Sequence, residues 1–325
     1  MYCLDTSSVK VAFLAFPEML KALQDELLER GICSENSLKK AHYYGDLVVL
    51  SDWNSCIRPY WAKAIFYEPK FVHFESIKEA SDILRGIQRN WAPYFFTQFR
   101  RGALLQEKLP YIALKPKQFP FVIPQSPIGI YTLLDKNTLL YSAKTEEFLP
   151  GGNLSLIEDH ENPPSRAYLK LQESLSRIPL LFPEKEILLP QENSRCLDAG
   201  ACPGGWTWVL RQLGADVLAI DRAPLADSLM NDSHVEFMKH DAFTLPPAEL
   251  GKFDWVFSDV ICYPERLYKW VTSWIESGNV SNMICTIKMQ GKTDWSIIDA
   301  FANIPHSVIR HLNYNKHELT WFYSR

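Results

Sequence analysis

The sequence predicts an α/β protein: a doubly wound, mostly parallel sheet in the C-terminal half, preceded by a smaller α+β region. Three observations predict it. From residue 195 onward, apolar runs of strand length alternate with helical patterns. The first of these runs ends in a glycine-rich turn that opens a helix, Cys196-Leu-Asp198-Ala-Gly200-Ala-Cys202-Pro203-Gly204-Gly205-Trp206-Thr207. Before residue 150, strand and helix signals alternate over a shorter, less regular period.

In chain order, Val11 to Phe16 reads as a strand, and Pro17 opens a helix with Leu20, Leu23, Leu27 and Leu28 on one face, closed by Gly31. Asp46 to Leu50 is the next strand. Ser76 and Glu79 form a capping box before Ile77, Ala80, Ile83, Leu84 and Ile87 at helical spacing. Tyr94 to Phe99, Gly129 to Leu134 and Thr138 to Ala143 read as strands, the last two a hairpin across Asp135-Lys136-Asn137. The pattern suggests two ferredoxin-like units in succession, residues 1–75 and 76–150. A segment rich in Gly, Pro, Asn and acids, 151–164, reads as a linker. Within 165–325, strands are expected at Arg195–Ala199, Asp216–Ile220, Val235–Met238, Phe253–Ser258, Met283–Lys288 and Leu319–Tyr323.

Composition sets bounds. With 325 residues, 47% hydrophobic and 22% charged, the chain is of ordinary globular type. Its net charge of −4 excludes attraction to nucleic acid by bulk field, so an RNA site must come from local charge. No apolar stretch is long enough for a membrane helix, and the first residues lack a signal pattern. The seven cysteines (Cys3, Cys33, Cys56, Cys196, Cys202, Cys262, Cys285) show no CxxC pair, and histidines show no metal-ligand spacing. A reducing, cytoplasmic setting and no metal are expected.

The glycine-rich turn is the strongest local signal. Glycines let backbone approach a ligand, and a helix start supplies free N–H donors. Asp221 follows Gly200 by 21 residues at the end of the next strand, where its carboxylate can accept the ribose hydroxyls of an adenosine. Asp241, after the third strand, can accept from the adenine amine. A dinucleotide fingerprint would need a second glycine where Cys202 stands, and Pro203 stiffens the loop, so a nicotinamide dehydrogenase is disfavoured.

Four charged residues fall where such a sheet would gather them: Lys170 on the first helix after the linker, Asp259 and Lys288 ending strands, and Glu318 opening the last apolar run. Methyl transfer to a sugar hydroxyl needs that oxygen aligned and its proton accepted. A lysine can accept it once neutral, which desolvation or a neighbouring cation such as Lys170 favours. Asp259 and Glu318 would orient the amines.

These residues carry a resemblance. The C-terminal half resembles the FtsJ-like ribosomal RNA 2′-O-methyltransferases, and within them the large-subunit rRNA cytidine 2′-O-methyltransferases known as M. The match runs through Pro164-Ser-Arg-Ala-Tyr-Leu-Lys170-Leu, Gly200-Ala-Cys-Pro-Gly-Gly-Trp-Thr207, Ser228-Leu-Met230, Asp259, Lys288 and His317-Glu318. It implies a Rossmann-like class I fold, S-adenosylmethionine as donor and an RNA substrate. It also implies Lys288 as proton acceptor in a tetrad with Lys170, Asp259 and Glu318, and cofactor contacts from Gly200, Cys202, Pro203, Gly204, Gly205, Trp206, Asp221, Asp241 and Asp259. Val11-Ala-Phe-Leu-Ala-Phe-Pro and Pro59 to Glu75 resemble the family's opening more loosely, and its THUMP-like RNA-binding module is shortened here.

Residues 85–120 hold Arg85, Arg89, Arg100, Arg101, Lys108, Lys115 and Lys117 against one acid, Glu107, with Trp91, Tyr94, Phe95, Phe96, Phe99, Tyr111 and Phe119 interleaved. Phosphate attraction plus base stacking uses such a mixture, and a basic face over an aromatic core produces it too. Two other functions remain open. Cys262, three residues after Asp259, stands where RNA cytosine-5 methyltransferases place their nucleophile. An RNA-binding assembly factor without turnover would use the same fold.

Overall fold

Runs of Val, Ile, Leu and Phe can be buried on both faces only where layers cover each side of a sheet, and the described residues build three sheets. The computed structural model describes residues 9–146, 148–291 and 293–325; Cys3 lies outside them. The chain divides into two units, one ending at Ser155 and the other comprising Lys117–Phe121 and Leu156–Arg325, with 117–121 excluded from the first.

In the first unit, β1 (Val11–Ala15), α1 (Leu20–Glu29), α2 (Glu35–Lys39), β2 (His42–Tyr44), β3 (Leu47–Leu50) and β4 (Ala62–Tyr67) form an antiparallel sheet of order β2-β3-β1-β4. That order is the one a ferredoxin-like unit would give. The second helix of such a unit is missing, and residues 51–61 cross without one. The buried Glu26 pins this crossing by accepting from the N–H groups of Tyr60 (2.8 Å) and Trp61 (3.0 Å).

The second sheet corrects the expectation of a repeat. β5 (Lys70–His73), α3 (Ile77–Ile87), β6 (Trp91–Pro93), α4 (Phe99–Lys108), β7 (Gly129–Leu133) and β8 (Thr138–Ser142) give the order β5-β8-β7-β6, with β6 and β7 parallel. That is not a ferredoxin-like order. β5 pairs with β8, so residues on both sides of position 75 share one sheet, and β9 (Lys144–Thr145) returns to the edge of the first sheet beside β4. The two faces of β7 serve different cores: Ile130 packs with Leu14, Val49 and Phe66, whereas Tyr131 packs with Leu84, Trp91 and Leu105 under α3 and α4.

The expected strand Tyr94–Phe99 is also corrected. Ladder pairing stops at Pro93, and Gln98 (φ 51°) turns the chain into α4. The aromatics that suggested a strand pack instead: Tyr94 Oη accepts from Asp46 N (2.8 Å), and the Phe95 ring fills the space a side chain at Gly102 would occupy. The capping box is present in altered form. Ser76 caps Glu79 N, while the Glu79 carboxylate accepts from Glu75 N.

The expected linker is ordered. Pro150–Gly152 makes a helical turn in the first unit, and Leu154 is buried. Lys117 bridges to Leu156 within the second unit.

Among the described residues the second unit is built on seven strands: β10 (Arg195–Ala199), β11 (Asp216–Asp221), β12 (Val235–Lys239), β13 (Phe253–Ser258), β14 (Val280–Lys288), β15 (Ser307–Arg310) and β16 (Glu318–Ser324). Their order is β12-β11-β10-β13-β14-β16-β15. α5 (Tyr168–Leu181) precedes them, and α6 (Gly205–Gln212), α7 (Asp227–Met230), α8 (Pro247–Leu250), α9 (Pro264–Ser277) and α10 (Trp295–Ala302) make the crossovers. β10 to β14 are parallel, and β16 is antiparallel to both β14 and β15. β15 was not expected; four residues with only Ile309 buried give too short a pattern. Strand order reverses between β10 and β13, and ligands of open α/β sheets bind beyond the carboxyl ends of strands at that place.

Candidate active site

The antiparallel β16 explains how a residue that begins a strand meets one that ends another. Lys288 closes β14, Glu318 opens β16, and the register pairs them directly. Asp259 follows β13 at the same edge, and Lys170 comes from the first turn of α5. The four side chains form a closed ring. Lys170 Nζ donates to Asp259 Oδ2 (2.5 Å) and Glu318 Oε1 (3.0 Å), and Lys288 Nζ donates to Glu318 Oε2 (2.5 Å) and to Asp259 Oδ1. Their side chains retain only 9–18% exposure. Two ammonium groups against two carboxylates leave no uncompensated charge, which makes burial of all four tolerable.

This arrangement reverses one expectation about Lys288. Burial alone would lower its pKa, but Asp259 and Glu318 outweigh burial and hold the ammonium above the ordinary lysine value. Burial likewise works against the Asp259 anion, and Lys170 and Lys288 overcome it, keeping the carboxyl below its usual range. Both carboxylates bridge Lys170 and Lys288.

Beyond β10 and β11 a hollow of about 190 Å³ is lined by Gly200, Ile220, Asp221, Asp241, Phe243 and Val260, among others. Gly200 (φ 79°) must be glycine, because a Cβ there would lie 2.1 Å from Val260 Cγ2. The loops after β10 and β13 can approach only on those terms. Asp221 closes the turn by accepting from Cys202 N and Ala223 N, both at 3.0 Å, one on each oxygen. Each oxygen has a second lone pair beyond these bonds, and Asp221 lines the hollow. Asp241 accepts from Arg266 (2.8 Å), from Arg222 and from Phe243 N (3.1 Å), and against burial these bring its carboxyl down to about 2. No side chain caps α6 at Gly204, and its first turn faces inward, where the buried Asp198 accepts from Thr207 N and Thr207 Oγ1 (2.6 Å). A nucleoside, whose hydroxyls and amine donate, suits the acceptors Asp221 and Asp241.

Residues 163–304 match the family described as FtsJ-like methyltransferase. This part of the chain is similar to that family. Ribosomal RNA large subunit methyltransferase M of Halorhodospira halophila (strain DSM 244 / SL1) is 41% identical over 128 residues, 39% of this chain and 36% of that protein. The protein of the same name from Azoarcus sp. (strain BH72) is 39% identical over 131 residues, 40% of this chain and 35% of that protein. The match spans little more than a third of the length of these curated relatives. Among solved structures, a putative hemolysin from Streptococcus thermophilus is 20% identical, covering 54% of this chain and 71% of that one, at a TM-score of 0.38.

Within the matched region the expected cofactor residues separate by what they touch. Gly200, Asp221 and Asp241 line the hollow, Cys202 contributes its N–H to the Asp221 turn, and Asp259 is tied into the ring of charges. Trp206 is a correction: it is buried, its indole donates to Ala167 O (2.9 Å), and its ring packs edge-on against Phe257. Gly204 and Gly205 are needed for packing, since Cβ atoms there would meet Leu229 (2.3 Å) and Ser165 Oγ (2.4 Å). Pro203 presents its carbonyl to Ala226 N.

Two participants were missed from sequence. Thr286, two residues before Lys288 and so on the same face of β14, donates to Asp259 Oδ1 (2.6 Å); the period of two was the available signal. Arg266 of α9 clamps Asp241 and had none. Cys262 is buried, and burial pushes its thiol up, away from the reactive thiolate. Among the described residues no cluster of ligating side chains suits a metal ion, and no helix is long and apolar enough to cross a membrane.

The basic residues expected to meet RNA are spread over several elements. Arg85 lies on α3, Arg89 follows it, Arg100, Arg101 and Lys108 lie on α4, and Lys115 precedes the crossing segment. All are exposed except Arg101, which packs its guanidinium over Phe74 (5.5 Å) and is partly buried. Lys117, in the second unit, is partly buried. Of the interleaved aromatics, Trp91 sits in the core with Tyr94, Phe95 and Phe96 packed nearby, leaving Phe99 and Tyr111 exposed.

Proposed function

We propose that the chain is an S-adenosylmethionine-dependent RNA 2′-O-methyltransferase acting on a ribose, a cytidine, of large-subunit ribosomal RNA in the cytoplasm. The observation that carries this reading is the closed ring of Lys170, Asp259, Lys288 and Glu318 beside a hollow whose acids suit an adenosine. S-adenosylmethionine supplies an electrophilic methyl on a sulfonium, whose charge adds the cation that favours neutral Lys288. Lys288 Nζ accepts the hydroxyl proton, while Asp259 and Glu318 orient it and Lys170 keeps both carboxylates in place. The shared name of the relatives supports a large-subunit rRNA substrate, and the exposed cations of α3 and α4 support RNA contact by a shortened THUMP-like region.

The pH dependence follows from the charges. Below its raised folded pKa, Lys288 is protonated and cannot accept a proton, so transfer should climb about tenfold per pH unit from neutral into the alkaline range. A flat profile there would reduce Lys288 to a positioning group. Stability moves the other way: the Lys288 contribution is complete below the ordinary lysine value and lost as pH rises through the folded one. The Asp259 contribution holds above the ordinary carboxylate range and fades as pH falls through its lowered value.

Tritiated methyl transfer onto large-subunit rRNA tests the reading. Wild type and Cys262→Ser should transfer at rates within about twofold of each other, since a buried, raised thiol takes no part. Loss of transfer in Cys262→Ser would support cytosine-5 chemistry, and no transfer by wild type would leave a binding protein.

A further inference from the structure

Asp241 lines the hollow beyond β10 and β11 and keeps 21% side-chain exposure. Its two oxygens are used unequally. Oδ2 accepts from both Arg222 and Arg266, which fills both of its lone pairs. Oδ1 accepts from Phe243 N (3.1 Å), and among the described residues no second donor reaches it. A carboxylate with one acceptor position left, on an oxygen whose direction is already fixed, suits a single N–H donor.

The two guanidiniums are not alike. Arg222 stands on the turn after β11 with 75% of its side chain exposed. Arg266 is braced. Its guanidinium lies over the Phe243 ring (5.3 Å to the centroid), and that ring stacks on Trp270 (4.5 Å, 12° between planes). Arg266 and Trp270 are four apart, so one face of α9 holds the 241–243 turn through both. The loop that carries Asp259 leads directly into this helix. An ion pair whose arginine is 45% exposed contributes little to stability, so orientation of the carboxylate is the larger effect of the contact.

We propose that Arg266 is the positioning residue of the donor site: it turns Asp241 so that Oδ1 receives the exocyclic amine of the donor's adenine, and thereby makes the hollow selective for an amino-purine. A 6-oxo purine would set a carbonyl against that carboxylate and is rejected. The inference rests on the S-adenosylmethionine reading above and names the residue that enforces its purine specificity.

The test is calorimetric binding of S-adenosylhomocysteine and of its deaminated form, S-inosylhomocysteine, to the full chain. Wild type should prefer the first by about tenfold or more. Arg266→Ala should weaken S-adenosylhomocysteine by about tenfold and bring the preference down to about twofold, with little change in melting temperature. Arg266→Lys restores a cation able to make one such bond and should recover most of the loss. Asp241→Asn, whose amide can donate to a 6-oxo group, should erase or invert the preference, which keeps the test decisive if Arg266→Ala fails to fold. Adding Arg266→Ala to Asp241→Asn should cost no more than about a further twofold, because the arginine acts through a carboxylate that is no longer there. An undiminished preference in Arg266→Ala or in Asp241→Asn would overturn the proposal, as would losses that simply add in the double variant. Failure of wild type to bind S-adenosylhomocysteine would sink the donor reading with it. Methyl transfer onto rRNA is followed in parallel: purine preference without transfer supports the role of Arg266 and removes the catalytic reading alone.

Discussion

Lys288→Ala should lower methyl transfer by about 10²–10⁴-fold while S-adenosylmethionine binding stays within about twofold. The loss is large because Lys288, which like Lys170 pairs with both Asp259 and Glu318, is the amine at the end of β14, and a methyl side chain can neither accept a proton nor hold its side of that ring. Lys288→Arg is the sharper control. It preserves the cation and its pairing, but guanidinium cannot give up its proton, so transfer should remain lost while stability recovers. Rate measured at saturating donor, together with donor affinity by calorimetry, separates the two effects. Full transfer by Lys288→Arg would leave Lys288 an orienting cation only.

The largest expected effect on stability comes from Glu173, which no motif marks. Its fully buried carboxylate accepts from Arg177 Nε (2.8 Å), Asn313 N (3.0 Å), Asn313 Nδ2 (2.9 Å) and Tyr314 N (3.0 Å). Glu173→Ala strips the anion from a guanidinium that is itself only 10% exposed, and the expected cost is about 3–5 kcal/mol. The lowered urea midpoint should come with an unchanged slope. Because residues 313 and 314 lead into Glu318, the same substitution should weaken transfer more than donor binding. A midpoint shift below about 1 kcal/mol would mean that this carboxylate only bridges solvated groups.

What was legible in the sequence was the part governed by regular periods. The parallel strands β10 to β14 are buried apolar runs between helical patterns, and their ends could be read from Asp221, Asp259 and Lys288. The convergence of Lys170 and Glu318 on those ends was legible only as residue types in a family order; the register between β14 and β16 that brings Glu318 to Lys288 comes from antiparallel pairing, which periodicity does not specify. The first unit was read less well, for two physical reasons. An aromatic run such as Tyr94-Phe95-Phe96 satisfies strand propensity while its side chains fill gaps around Gly45 and Gly102. Strand order is set by pairs far apart in sequence, such as β5 with β8 and β4 with β9. The resemblance assigned Trp206 to the cofactor, yet the first turn of α6 points its indole back to Ala167. The charge state of Lys288 was beyond sequence altogether, since it depends on which groups stand between two lysines.

Alkaline hydrolysis of RNA methylated by this protein tests the central claim most directly. Cleavage by base needs a free 2′-hydroxyl, so a ribose methylated there protects its own phosphodiester. If the ring of Lys170, Asp259, Lys288 and Glu318 delivers methyl to that oxygen, tritium from the donor should be recovered in alkali-stable dinucleotides. Tritium recovered only in mononucleotides would mean that the methyl goes to a base, and the ring would then have no part in the chemistry assigned to it.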